Sequence, residues 1–422
     1  MKSQPADKSA GFFISFFAGE NYTFYKSPKD YRKAFAMIKK VISTAMLLVF
    51  FCCVCCAQIK PHEIDTSGFS DSRHHWYDIY EEDNVINPEP NQPCYRPTQI
   101  KEIADNILLY QKDNGGWPKN YDMRAILTKE QKEKLIKAKS NLHTTFDNSS
   151  TYSQIEYLAK AYQAVKAEKY KDGCLRGIDF TLSAQYANGG WPQFFPLESK
   201  YTRHITFNDD AMTGIMKMLK DIIDNKPYYA FVDSERRQKA KIAFEKGLDC
   251  ILKCQITDNG KLTSWCQQHD ANNLRPVKGR AYELPSICND EGAGVVLLLM
   301  SIDKPSKEII NSVQAAVRWF EELKLSGIRV EQINAPEVRY QLRVSKIDRV
   351  VVKDANAPPI WARFYEFGTH RPLFSNRQSQ LLYSMAEVDR ERRSGYTWYT
   401  YEPQKVLDAY SAWEKKWMPG KN

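Results

Sequence analysis

Apolar residues first fall at helical spacing from Ile100, with Ile103, Ala104, Ile107 and Leu108 on one face. The run stops at Asp113-Asn114-Gly115-Gly116, whose glycines permit a left-handed helix end. The same ending returns twice. Residues 108–118 read LLYQKDNGGWP, residues 182–192 read LSAQYANGGWP, and residues 252–260 read LKCQITDNG with Trp265 following. Gln111, Gln185 and Gln255 mark the register, and the copies recur after 74 and 70 residues, the length of one helical hairpin with its loops. In this pattern the tryptophan folds back on its helix end, so the NGGWP turns read as architecture.

The helix starts repeat as well. Thr145-Phe146-Asp147-Asn148 precedes Ile155, Leu158, Ala159 and Tyr162, Thr206-Phe207-Asn208-Asp209-Asp210 precedes Met212, Ile215 and Leu219, and Asn289-Asp290-Glu291 precedes Val295. Each cluster is expected to cap its helix. In a ring of antiparallel helix pairs, equivalent starts face one end. That arrangement brings Asp147 and Asp209 to one mouth, together with residues 265–286, WCQQHDANNLRPVKGRAYELPS. This stretch has no helical period and many polar groups, so it is expected to be a surface loop. Lys278 and His269 are its first candidates for a general base.

Further on, residues 307–325 form an amphipathic helix pattern through Ile310, Val313, Val317 and Phe320. Between about 328 and 352 the runs become β-branched, which predicts a strand-rich insertion. Residues 361–377, WARFYEFGTHRPLFSNR, then interleave Arg363, Arg371 and Arg377 with aromatics. A last helix is expected from about Gln378 to Glu387, followed by Arg392, Arg393, Tyr396 and Trp398. Guanidinium and aromatic groups in alternation suit a polymer that carries carboxylates on flat sugar faces.

Composition narrows this picture. The 422 residues are 43% hydrophobic and 26% charged, an ordinary globular balance. The formal charge is +9, but residues 1–57 hold 8 Lys and Arg against 3 Asp and Glu, leaving 52 against 48 elsewhere. That excess is too mild to argue for nucleic acid. Lys39 and Lys40 precede an apolar run from Val41 to Val54, and Ala57 then meets Gln58. This predicts a secretory signal starting at Met37, after an upstream extension, with a mature chain from near Gln58. An N-terminal anchor is the other reading of the same run. The expected organisation is therefore an extension and signal at 1–57, a surface-wrapping segment at 58–95, and a catalytic domain at 96–422. The cysteines after residue 57 show no zinc-finger spacing and assign no disulfide.

Together NGGWP twice, TFDNSS, ITFNDDAM, WCQQHD with RPVKGRAYELPS, and WARFYEFGTHRPLFSNR with RRSGYTWY resemble the family 10 polysaccharide lyases, the pectate lyases, from about Ile100 to the C-terminus. The resemblance implies a mainly α fold, an incomplete α/α barrel of helical hairpins with a smaller irregular, β-containing part across a cleft. It implies cleavage of α-1,4-polygalacturonate by calcium-assisted β-elimination to unsaturated oligogalacturonides, by an exported monomer with no nucleic-acid partner. By position, Arg280 resembles the family's catalytic base and Asp147 an active-site aspartate. Asp147 and Asp209 would hold Ca2+. Asp270, Lys278, Tyr282, Arg363, Arg377, Arg392, Arg393 and His204 would contact substrate.

The elimination removes the proton at carbon 5 of galacturonate, beside an ionised carboxylate, so added positive charge is what the reaction needs. An arginine base is awkward, because its ordinary pKa lies above about 12. Nearby cations and bound calcium are expected to depress it, and alkaline conditions to help. Two other classes fit parts of the pattern. A glycoside hydrolase on a helical barrel would use two carboxylates among Asp147, Asp209 and Glu283. A non-catalytic exported binder of acidic glycans would keep the arginines and aromatics. A terpene cyclase would share the helical ring, but export and the arginines count against it.

Overall fold

The computed structural model describes residues 63–79, 84–341 and 343–418. The expected signal and the starts at Met37 and Gln58 lie outside these residues. Among the described residues, no helix is long and apolar enough to cross a membrane. The segment expected to wrap the surface contains a short helix, α1 (Ser70–Asp78), pinned by buried Trp76, whose indole N–H donates to the Ile86 carbonyl at 3.0 Å.

Helix α2 (Ile100–Tyr110) leads into the first NGGWP turn, and α3 (Lys129–Lys137) begins at a capping box of Thr128 and Gln131. Three hairpins follow: α4 (Tyr152–Val165) with α5 (Glu168–Ser183), α6 (Ala211–Ile223) with α7 (Ser234–Cys254), and α8 (Asp290–Met300) with α9 (Lys307–Glu322). Helices α4, α6 and α8 pack in sequence, and α5, α7 and α9 pack behind them. Two concentric layers result, the α/α toroid expected from the repeats. The composition explains the layering. Helix α8 is nearly apolar all round, with Val295, Val296, Leu298 and Leu299 buried, as a helix covered on both sides must be. Helix α9 buries one face, through Ile309, Val313, Ala316, Val317, Trp319 and Phe320, and leaves the other polar.

The repeated turns are one device used three times. Trp117 donates to the Ile107 carbonyl at 2.8 Å, Trp191 to Thr181 at 2.9 Å and Trp265 to Ile251 at 2.8 Å. Gln111 ties its own turn (Gly115 O, 2.9 Å) to the next outer helix (Gly173 O, 2.9 Å). Gln185 does the same with Gly189 and Ala243, and Gln255 with Thr263 and Ser312. Gly115 and Gly189 stand at φ 93° and 94°, where an L side chain is strained and would also strike the carbonyl of Arg176 or Lys246.

The strand insertion is an antiparallel ribbon of Ile328–Arg339 with Val344–Lys353, irregular between Asn334 and Val338. Beside it, Phe364–Tyr365 pairs with Ile287–Cys288 on one edge and Pro372–Ser375 on the other. The helix expected from Gln378 to Glu387 is absent. Leu381–Leu382 adds a strand against Phe374 and Ser375, and Met385–Glu387 is a 3-10 turn. Asn376 Oδ1 accepts from both Gln378 N and Gln380 N at 3.1 Å, which folds the chain back before a helix can begin. Helices α10 (Arg390–Gly395) and α11 (Glu402–Trp417) complete the chain, with α11 packed on α8 and α9.

Candidate active site

The inner helices do not start as their sequence suggests. In none of α4, α6 and α8 does the N-cap side chain accept from a helix backbone N–H, and Asp210 and Asn289 accept instead from the Thr213 hydroxyl and the Trp319 indole, each at 2.7 Å. Instead the backbone turns left-handed before α4, at Asn148 (φ 49°), Ser149 (59°) and Thr151 (70°), and before α6, at Asp209 (51°) and Asp210 (58°). Non-glycine residues adopt this region at a cost. The consequence is that Asp147 meets another side chain rather than a helix N–H.

Asp147 is 3% exposed. Its Oδ2 accepts from Lys119 Nζ at 2.8 Å, and its Oδ1 is buried without a hydrogen-bond partner. Asp209 interacts directly with Asp147, accepts from the Asn208 amide, and lies 3.9 Å from Arg280 Nη2. The pair is electrostatically unequal. Burial pushes the Asp147 carboxyl up, but Lys119 and then Arg280 outweigh it and hold it well below the usual carboxylate range. Burial and the Asp147 charge push Asp209 well above that range.

Arg280 is gripped by Glu283, whose Oε1 lies 2.9 Å from Nε and whose Oε2 accepts from the Arg280 backbone N–H at 2.8 Å. Tyr396 donates to the same carboxylate at 2.8 Å. Nearby cations and bound calcium were expected to depress the Arg280 pKa, and the protein's own side chains act the other way. Burial does lower it, but Glu283, Tyr282, Tyr396 and Asp209 together hold it well above the ordinary arginine value.

Tyr282 is the hub of the basic side. Its buried ring has the guanidinium carbons of Arg280 and Arg377 at 5.6 Å and of Arg392 at 4.9 Å, and Arg392 Nη1 donates to its hydroxyl at 3.0 Å. Glu391 pairs with Arg377 at 2.8 Å and with Arg392 at 2.5 Å. Burial raises the Glu391 carboxyl, but Arg377 and Arg392 outweigh that and hold it at about 2.

A family model described as pectic acid lyase matches residues 111–407. The chain belongs to the pectic acid lyase family. It is similar to two solved structures, the family 10 polysaccharide lyase from Cellvibrio cellulosa and an aspartate-to-alanine mutant of that enzyme in complex with trigalacturonic acid. Each is 28% identical, with a TM-score of 0.63, over 83% of this chain and 99% of its own. No curated protein matches the chain.

Within this member of the family, the structure sorts the expected site residues. Asp147, Asp209 and Arg280 come together, and Tyr282, Arg377 and Arg392 adjoin Arg280. Arg393 does not join them. Its guanidinium pairs with Asp348 at 2.6 Å and donates to the Val388 carbonyl at 2.7 Å, bracing the ribbon. Arg363, expected to hold a uronate, is 6% exposed and spends its charge inside the protein, on Glu291 and on Asn208 Oδ1 at 3.1 Å. Lys278 is exposed and donates to Ser379 Oγ at 2.6 Å. His269 is no base candidate. It is fully buried, bonded to Cys266 N at 3.1 Å and Leu274 O at 2.8 Å, and burial lowers its pKa to about 4. Asp270 and His204, 4.0 Å apart, line a separate recess of about 670 Å³ with Tyr186, Asn188 and Arg203, and none of Asp147, Asp209 and Arg280 lines it.

The stretch 265–286 also departs from a plain surface loop. Gln267, Gln268 and His269 are buried because the pair Gln268–His269 forms a ribbon with Ile205–Thr206. Sequence reasoning missed Lys119 and Glu391, took Tyr396 only as one of the aromatics along the polymer, and did not see Glu283 as the partner of Arg280. One signal was available for Lys119: the two NGGWP turns are followed by Lys119 in the first copy and Gln193 in the second.

Proposed function

We propose that this member of the pectic acid lyase family is a pectate lyase that cleaves α-1,4-polygalacturonate by β-elimination assisted by calcium. The observation that carries the reading is the meeting of Asp147, Asp209 and Arg280 beside the arginines stacked on Tyr282. The complex of the similar Cellvibrio enzyme with trigalacturonic acid supports an oligogalacturonate substrate. Arg377, whose side chain is 44% exposed, offers a planar donor suited to a uronate carboxylate, while Arg392, 9% exposed, spends its donors on Glu391 and the Tyr282 hydroxyl. Arg280 is the group we assign to the carbon 5 proton. Glu283 fixes its direction and at the same time holds its proton on, so the reaction should favour alkaline conditions. The calcium reading fits the donors present. Asp147 Oδ1 is a buried oxygen with no partner, and the neighbouring Asp209 carboxyl is penalised by the Asp147 charge. Among the described residues no three acidic, histidine or cysteine side chains form a cage, so remaining oxygens would come from polymer and water. Bound by Asp147 and Asp209, calcium would supply positive charge for the electrons left on the substrate carboxylate. The apolar run after Lys40 supports export, which a polymer too large to enter a cell demands.

A glycoside hydrolase is the competing reading, because one carboxylate is held ionised and its neighbour is pushed towards protonation. The direct contact of Asp147 with Asp209 counts against it, since hydrolase carboxyls stand roughly 5–9 Å apart to flank the bond. Incubation with polygalacturonate, with and without a chelator, separates the readings. A lyase gives a new absorbance from the unsaturated product that the chelator abolishes. A hydrolase gives reducing ends without it, and a non-catalytic binder gives neither.

A further inference from the structure

The two NGGWP repeats carry different chemistry at the same two positions. In the first copy, Lys119 follows Trp117-Pro118, and Asp147 follows Thr145-Phe146. In the second, Gln193 follows Trp191-Pro192, and Asn208 follows Thr206-Phe207. The alignment is structural as well as textual. Thr145 N donates to the Trp117 carbonyl at 2.9 Å, and Thr206 N donates to the Trp191 carbonyl at 3.1 Å. A charged pair in one repeat thus stands where the other has two amides.

The charged pair is built tightly. Lys119 Nζ lies 2.8 Å from Asp147 Oδ2, with side chains 23% and 5% exposed, and its ammonium stands 5.8 Å from the centre of the Phe194 ring. An ion pair this sheltered is weakly screened by water and salt. Lys119 therefore occupies, in the substrate-free protein, part of the electrostatic position that a divalent cation on Asp147 would take.

We propose that Lys119 is a built-in counter-cation of Asp147, which weakens calcium binding by the free enzyme and so makes that binding depend on the acidic polymer. This rests on the calcium reading above. The polymer supplies the additional carboxylates that a calcium ion needs when one protein carboxylate is already partly neutralised. Free enzyme in calcium alone would then stay largely unloaded, and cation and substrate would enter together with positive coupling.

Calorimetric titration of calcium into the substrate-free protein tests this. Lys119→Gln copies the second repeat and should bind calcium about tenfold more tightly than wild type, because one neighbouring positive charge is gone. Lys119→Arg keeps the charge and should stay near wild type. Circular dichroism checks the fold, and Lys119→Met replaces Lys119→Gln if the latter does not fold. Calcium binding by the charge-free variant that is no tighter than wild type overturns the proposal while leaving the calcium reading intact. Absence of calcium binding in every protein, together with lyase activity that survives a chelator, overturns both.

Discussion

The Glu283 carboxylate, 2% exposed, holds the Arg280 side chain through Nε at 2.9 Å and Nη2 at 2.8 Å, and its backbone N–H at 2.8 Å. Three contacts from one acid three residues along leave Arg280 little freedom of direction. They also stabilise its charged form, so position and proton affinity are set by the same residue.

Arg280→Lys should separate a proton-removing role from a carboxylate-binding one. The variant keeps a cation but not the fork that Glu283 holds. A fall in kcat of roughly a hundredfold or more, with little change in KM, is expected for a base. Near-normal kcat with a raised KM would assign Arg280 to binding alone. Steady-state rates on polygalacturonate give both numbers.

The pH profile should carry the mark of Glu283. Since the Arg280 pKa is raised, the fraction able to accept a proton grows with pH, and kcat/KM should climb into the alkaline range. Glu283→Gln removes the charge that raises it, so the rising limb should move towards lower pH. An unmoved limb would show that another group titrates. An optimum near pH 5 would point to the carboxylate pair and to hydrolysis.

Asp209→Ala should lose activity that added calcium partly restores, because Asp147 still offers an oxygen. Rates measured across a calcium series decide this, and a loss indifferent to calcium would argue that Asp209 has another task.

Arg363 and Arg377 should fail in different ways. Arg363 is a buried charge paired with Glu291 and Asp290, and truncation to Ala would leave those acids uncompensated. A stability loss of about 3–5 kcal/mol is expected by urea unfolding. The Arg377 side chain is 44% exposed, so Arg377→Ala should cost about 1 kcal/mol or less. Its effect should appear instead as a KM raised about tenfold.

Much of the architecture was legible in the chain itself. The Gln and Trp marks repeat with the hairpins, and the apolar stripes of α2 and α9 lie near where the spacing placed them, with Leu108 and Ile310 only half-buried and Ile309 taking the buried place. Periodicity is a local property, and a helix pair stacked on like neighbours adds little that its own residues do not state. The ribbon after Ile328 was visible for the same reason. The tertiary structure alone decided which charges meet. Arg392 and Arg393 are adjacent in sequence, yet one lies over Tyr282 and the other braces Asp348, because successive residues of a helix point about 100° apart. Lys119 reaches Asp147 across 28 residues, a pairing that an NGGWP turn read as mere architecture does not announce. Arg280 was expected to be lowered by cations and bound calcium, yet the protein's own Glu283 raises it. A pKa is set by the summed field of groups brought together by folding, and sequence spacing carries no record of that field.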